Sequence, residues 1–396
     1  MDITIQPGTL QGEVTVIPSK SQAHRLLICA AFADTQTVLD CPETNRDMDA
    51  TAGCLNALGA HIKKTESGYL VNPAKQIQHK ADLFVHDSGS TLRFMLPVAG
   101  ALGVDAVFHM EGRLPQRPLS PMWEEMVRMG CMLTRPTPDT IRCAGKLRPG
   151  HYCIDGSVSS QYITGLLLAL SLLEAPSELE ITGRVESKPY IQMTYDAISL
   201  FGGNPEAPGA YPFHSPGHIT VEGDWSNGAF FLAANTLGSH IHTRGLRLDS
   251  SQGDRAAAEL LPQLAVRTLC IDAGDIPDLV PILSVVAANC HGAEFANIRR
   301  LRLKESDRVS SVIAMITALG GKAEADENTL RVFDTGLTGG TVDSVNDHRI
   351  AMSAAIAATV CKEPVTILEA QCINKSYPKF FEEYRLLGGI YEQYLR

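Results

Sequence analysis

Six times along the chain a short polar stretch runs directly into a block of small and apolar residues. The blocks begin at Ser21 (through Ala33), Ser90 (through Leu102), Ser159, Trp225 (through Leu237), Ile276 (through Cys290) and Asp347 (through Val360), at intervals of 69, 69, 66, 51 and 71 residues. A block apolar on every side has to be buried all round, so each reads as a core helix whose polar amino end alone stays reachable. Between them runs an amphipathic series that ends on glycine, as a left-handed C-cap favours: Leu58-Gly59, Met129-Gly130, Phe201-Gly202, Leu319-Gly320 and Leu387-Gly388. The member near Leu260 to Leu264 lacks the glycine. Alternating segments such as Glu13-Val14-Thr15-Val16, Thr37-Val38-Leu39 and Tyr69-Leu70-Val71 supply strands. The pattern predicts six copies of a strand-helix-strand-helix-strand-strand unit. A unit of about 65 residues is too long for a solenoid module, so an α/β protein of two globular domains with three units each fits the 396 residues. Glu222-Gly223-Asp224 is the expected hinge.

With 44% hydrophobic residues the chain can bury two cores. Its ten cysteines include no C-x-x-C pair, and several fall inside apolar helices, as expected of small core residues in a reducing cytoplasm. Met1 leads at once into the strand-like Ile3-Thr4-Ile5, and no apolar run reaches the ~18 residues of a membrane span. A cytoplasmic protein is expected. The net charge of −10 argues against a general nucleic-acid surface. Against that balance, Lys20, Arg25, Arg93, Lys304, Arg308 and Arg349 all stand at or near helix starts. Cations there oppose the helix dipole unless an anion joins them.

The stretch Asp155-Gly156-Ser157-Val158-Ser159-Ser160-Gln161 is the strongest anion seat, with hydroxyls, unpaired N–H groups and a positive dipole end converging on one point. Pro18-Ser19-Lys20-Ser21 with Arg25 repeats the logic, and in Ser88-Gly89-Ser90 the glycine admits close approach of a ligand to the backbone. Glu111 to Pro118, carrying Arg113 and Arg117, reads as a loop over a site. Ser187-Lys188-Pro189-Tyr190 offers a hydroxyl and a phenol to a sugar-like ring, or is simply a turn before a helix at Ile191 to Leu200. Asp278 is placed just inside the fifth buried helix. Lys304-Glu305-Ser306-Asp307-Arg308 opens an amphipathic helix with Ser306 as its expected N-cap, and Asn374 to Pro378, with Lys375, precedes the last helix. His214-x-x-x-His218 lacks a third ligand, so no metal site is expected. No Walker loop, G-x-G-x-x-G or G-x-S-x-G occurs, which removes the motif support for a nucleotide donor or a serine nucleophile.

Taken together, Pro18 to Ser21 with Arg25, Gly89 with Arg93, Arg117-Pro118, Asp155 to Gln161, Ser187 to Tyr190, Gln252-Gly253-Asp254, Lys304 to Arg308, Asp347-His348-Arg349 and Lys375 resemble the 5-enolpyruvylshikimate-3-phosphate synthase family over the whole chain. The resemblance implies a two-domain inside-out α/β barrel of six βαβαββ repeats, with buried helices pointing into the interdomain cleft. The domains would be residues 1–18 with 224–396, and 19–223. It implies transfer of the carboxyvinyl group of phosphoenolpyruvate to the 5-hydroxyl of shikimate 3-phosphate by a monomer needing no metal or organic cofactor. Lys20, Ser159, Ser160 and Ser187 would hold the shikimate phosphate with Lys304, Ser21 and Arg25 its carboxylate, and Gln161 and Tyr190 its ring. Phosphoenolpyruvate would fall to Arg117, Arg308, Arg349, Lys375 and Gly89, with Lys20 adjoining. Asp278 would be the base and Glu305 the acid, with Lys20 a further candidate for the proton. Asp87 and Arg300 depart from residues common in relatives, and neither is given a role. The rivals are a transferase that puts the same group on a UDP-amino sugar, which carries a cysteine in the loop where this chain reads Arg113 to Pro118, and a non-catalytic phosphometabolite-binding repeat protein.

Overall fold

A computed structural model describes residues 1–394 and divides the chain into two compact units, Pro18–Glu222 and a second formed by Met1–Ile17 with the chain from Gly223 on. The first unit holds α1 (Lys20–Ala31), α2 (Arg46–Ala57), α3 (Gly89–Leu102), α4 (Met122–Arg128), α5 (Ser160–Leu170) and α6 (Lys188–Leu200). The second holds α7 (Trp225–Thr236), α8 (Ala257–Leu264), α9 (Val280–Asn289), α10 (Arg308–Ala318), α11 (His348–Ala357) and α12 (Phe380–Leu386). None of these is long and apolar enough to cross a membrane.

Odd-numbered helices are the apolar blocks and they are buried all round. Every residue of α5 but Gln161 is buried, as is every residue of α9 but Asn289, and α11 is buried throughout. Even-numbered helices bury one face. All five expected glycines follow their helices with positive φ; Gly59 (φ 118°) and Gly320 (φ 86°) mark turns that a side chain would strain.

Four sheets of four strands share one order. In the first unit these are His218–Thr220, Thr37–Asp40, Gly68–Asn72, His61–Thr65, and Lys80–His86, Asp105–Met110, Thr140–Gly145, Cys131–Thr134. In the second they are Leu269–Asp272, Ala293–Ala296, Thr329–Phe333, Lys322–Ala325, and Gly340–Asp343, Val365–Leu368, Asp2–Ile5, Tyr391–Tyr394. In each the first pair is parallel and the next two antiparallel. Two further sheets, His151–Asp155 with Glu178–Thr182 and His240–Arg244 with Gln11–Thr15, have two parallel strands among the described residues. The strand Asp2–Ile5 enters a sheet made otherwise from the end of the chain, so the second unit is discontinuous in sequence.

Several expected starts move. α1 and α3 begin one residue before the expected Ser21 and Ser90, at Lys20 and Gly89, capped by Ser19 and Ser88, which puts Ser21 and Ser90 inside the first turns. Asp307 rather than Ser306 caps α10, because the Asp307 carboxylate accepts from the Ser310 N–H while the Ser306 hydroxyl turns to Asp347. The sixth helix begins at Lys188 with Pro189 in its first turn, where a missing N–H costs nothing, rather than at Ile191. Asp278 lies two residues before α9, outside it. The two histidines tested for metal spacing are occupied by carboxylates, His214 by Asp34 and His218 by Asp40.

Candidate active site

In the first unit the amino ends of α1, α3, α5 and α6 come together. Gln161, on the first turn of α5, donates through Nε2 to Ser90 on α3 at 2.9 Å and accepts from Arg93 Nη1 at 2.9 Å. Ser159 caps α5 by accepting from the Gln161 N–H. Arg93 also reaches the carbonyl of Pro118, which accepts from the Tyr162 hydroxyl as well, tying the arginine loop to α3 and α5. The Gly89 α-carbon lies against two guanidinium groups. A methyl built there would stand 2.6 Å from Arg117 Nη1 and 2.7 Å from Arg93 Nη1.

Lys20 pairs with Asp47 of α2 at 3.0 Å, a partner the sequence did not mark. Arg25 is buried, with no carboxylate among its hydrogen-bond partners in the described residues. It donates to the Thr194 and Thr164 hydroxyls and to the Ser21 and Tyr190 carbonyls. Burial pulls its pKa down to about 10, so it stays charged at neutral pH. A buried cation balanced only by dipoles is a standing demand for an anion. Ser160 and Ser187 are also buried, and Ser187 takes a left-handed backbone (φ 55°) just ahead of α6.

The second unit gathers charge around Arg308, whose side chain is 1% exposed. It meets Asp278 at 2.6 Å, Glu305 at 2.9 Å and the fully buried Asp347 at 3.1 Å. Asp347 in turn caps α11 and accepts from Ser306. Lys304 and Arg349 each approach Asp278 at 3.5 Å. Burial alone would raise the Asp278 pKa, but Lys304, Arg349 and Arg308 overcome it and hold the carboxyl well below its usual range. Burial lowers Lys304, with Asp278 opposing.

Arg349 is the informative residue. It is buried, yet its Nε and Nη1 have no hydrogen-bond partner among the described residues. Each buried donor left so costs about 1–3 kcal/mol, an expense that a site built for an anionic ligand explains. Lys375 closes a 3₁₀ turn, and the following Ser376 accepts from Asn227 on α7 at 3.2 Å.

Asp254 carries a signal that sequence reasoning passed over. It is buried, accepts from the Ser226 hydroxyl, and has its other oxygen unpaired among the described residues. Burial, then the neighbouring Asp278, raise its pKa to about 7, against Arg349 and the Ser226 bond. The run Gln252-Gly253-Asp254 stood out in the sequence, but nothing there marked the aspartate as buried.

The family model described as EPSP synthase (3-phosphoshikimate 1-carboxyvinyltransferase) matches residues 5–268 and 262–384. A 3-phosphoshikimate 1-carboxyvinyltransferase from Clostridium kluyveri is 36% identical, covering 98% of this chain and 97% of that protein. One of the same name from Clostridium beijerinckii is 35% identical, covering 99% of each. Among solved structures, an EPSP synthase from Acinetobacter baumannii superposes with a TM-score of 0.81 at 21% identity, covering 99% of this chain and 100% of that one. An enolpyruvyl transferase from Streptomyces tendae gives 0.78 at 17% identity, with 99% and 98% covered. These two share the two-domain α/β fold. With the family model spanning nearly the whole length and full-length relatives above 30% identity, the chain belongs to the EPSP synthase family.

Proposed function

We propose that the chain transfers the enolpyruvyl group of phosphoenolpyruvate to the 5-hydroxyl of shikimate 3-phosphate and releases phosphate. Family membership supports the reaction, and the buried, unpaired donors of Arg349 beside Asp278 are the observation in this chain that carries it. Its six-repeat, inside-out barrel architecture belongs to the same reading, supported by four sheets of one strand order.

The shikimate phosphate goes to Ser159, Ser160, Ser187 and Lys20, assisted by Lys304; its carboxylate goes to Arg25 and Ser21, and its ring to Gln161 and Tyr190. Arg308, Arg349 and Lys375 take phosphoenolpyruvate, together with Arg117 and the Gly89 backbone. The 5-hydroxyl oxygen adds to C2 of phosphoenolpyruvate as its proton passes to Asp278 and Glu305 delivers a proton to C3. Loss of a proton from C3 and cleavage of the C2–O bond to phosphate then restore the vinyl group. General acid and base contribute typically 10²–10⁴-fold each.

Asp278 in the ligand-free protein is a poor base, since three cations hold its proton affinity down. An anion bound to Arg349 and Arg308 engages those cations, which raises the Asp278 pKa as the hydroxyl arrives. The same binding supplies the partners that Arg349 lacks. The UDP-amino-sugar reading is not favoured: the family match names the shikimate enzyme, and the Arg113 to Pro118 loop contains no cysteine. Initial rates of phosphate release test the choice. Release from phosphoenolpyruvate should require shikimate 3-phosphate and be absent with UDP-N-acetylglucosamine. Equal release with the sugar nucleotide would reverse the assignment.

A further inference from the structure

The Arg25 guanidinium is held by a hydrogen-bond chain whose direction is fixed. Thr194 spends its single hydroxyl proton on the Tyr190 carbonyl at 3.0 Å, because a carbonyl only accepts. The 2.9 Å contact between Thr164 and Thr194 therefore has Thr164 as donor. Both hydroxyl oxygens then accept from the arginine: Nε reaches Thr194 at 2.9 Å and Nη2 reaches Thr164 at 3.1 Å. The second Nη2 proton goes to the Tyr190 carbonyl at 2.8 Å, and one Nη1 proton to the Ser21 carbonyl. Among the described residues, four of the five guanidinium N–H groups are thus committed, one on Nε, two on Nη2 and one on Nη1, which leaves one on Nη1. The ring of Phe94, 5.3 Å from Cζ, backs the plane. Thr164 and Thr194 are both fully buried on α5 and α6, so the chain locks α1 to the two helices that carry Ser159, Ser160, Gln161, Ser187 and Tyr190.

We infer that Thr164 and Thr194 are positioning residues that set the acceptor's carboxylate recognition by leaving Arg25 one aimed N–H instead of a rotating two-pronged fork. This rests on the reading of Arg25 as the carboxylate receptor. A substrate carboxylate then meets Arg25 through one direct bond plus charge. Without the threonine chain the guanidinium is free to turn, and the aim is lost before the charge is.

The test is calorimetric titration of shikimate 3-phosphate, and of the same phosphorylated ring without its carboxylate, into wild type, Thr194→Val and Thr194→Ser. Valine keeps the shape and removes the acceptor; serine keeps the acceptor. Thr194→Val should weaken shikimate 3-phosphate about tenfold and leave the decarboxylated ligand unchanged, since preorganisation of one contact is lost. Thr194→Ser should stay within about twofold of wild type for both. If Thr194→Val is not recovered folded, Thr164→Val gives the same comparison with a single accepted bond removed. Unchanged affinity for shikimate 3-phosphate, or equal losses for both ligands, overturns the inference. Wild type that fails to bind shikimate 3-phosphate contradicts the proposed function instead, and the two failures are distinct.

Discussion

Glu305 sits three residues before Arg308 and pairs with it, while the α10 cap is Asp307. A purely structural Glu305 would be an ion-pair member, and Glu305→Gln would then cost little turnover. An acid at that position gives the opposite result. Turnover of Glu305→Gln should fall about 10²- to 10⁴-fold with shikimate 3-phosphate binding nearly unchanged, measured by steady-state rates beside calorimetry. Near-normal turnover removes Glu305 from the chemistry. Gly89→Ala should raise the KM for phosphoenolpyruvate about tenfold and leave the melting temperature close to wild type, because the atoms nearest the added methyl are the far ends of Arg117 and Arg93, which can swing aside. A large loss of stability would instead make Gly89 a residue of the fold. Asp254 gives a pH signature. Its folded pKa, about 7, lies above the unfolded value, so the protonated form stabilises fully below the unfolded pKa, and that stabilisation declines as pH rises towards and through about 7. Asp254→Asn mimics the neutral acid. Its melting temperature should exceed that of wild type at pH 8 and match it near pH 4.5; no difference at pH 8 would mean that Asp254 is ionised without cost. The sequence displayed Lys20, Arg25 and Arg349 as cations at helix starts, but their partners Asp47, Thr164, Thr194 and Asp278 come from segments far along the chain, and no local pattern pairs them.

At the scale of elements, the apolar blocks and their glycine stops were legible because burial all round and left-handed C-caps each leave a local composition. The cap residues were less so. Ser19 and Ser21 both suit an N-cap, and only the extended backbone of Ser19 (φ −66°, ψ 109°) decides between them, with the result that the Ser21 hydroxyl is not used in the cap. Close helix packing is a second feature that composition conceals. Gly165 of α5 faces the α3 backbone, and a methyl there would fall 2.1 Å from the Arg93 carbonyl oxygen. Unlike Gly89, this neighbour is backbone and cannot swing away. Gly165→Ala should therefore destabilise the first unit by about 1–3 kcal/mol, read by denaturant melts, and displace Arg93 with it. Wild-type stability would show that α3 and α5 tolerate being pushed apart. A buried chain of one imidazole and three hydroxyls, His24 to Thr51 at 2.7 Å and Thr51 to Thr91 at 2.9 Å, with Thr91 bonded to Ser88, fixes α1, α2 and α3 to one another.

At the scale of the whole molecule, a chain of net charge −10 buries several arginines, which the proposed function assigns to two polyanionic substrates. On the proposed assignment Lys20, Lys304, Arg308 and Arg349 supply fixed positive charge to the two substrates from side chains, so turnover should be unchanged by EDTA. Loss restored by magnesium would contradict that. The repeat spacing suggested two domains of three units each; what it did not disclose is that among the described residues the strands differ in number, four in four of the sheets and two in the other two, because short edge strands leave little periodic signal. Phosphorus NMR of the protein with both substrates in D₂O reads the proposed reaction directly. Phosphoenolpyruvate and shikimate 3-phosphate should disappear together while inorganic phosphate and one new phosphorylated product appear in equal amounts, with deuterium entering the vinyl methylene. Phosphate appearing while the shikimate 3-phosphate signal stays constant would contradict the account.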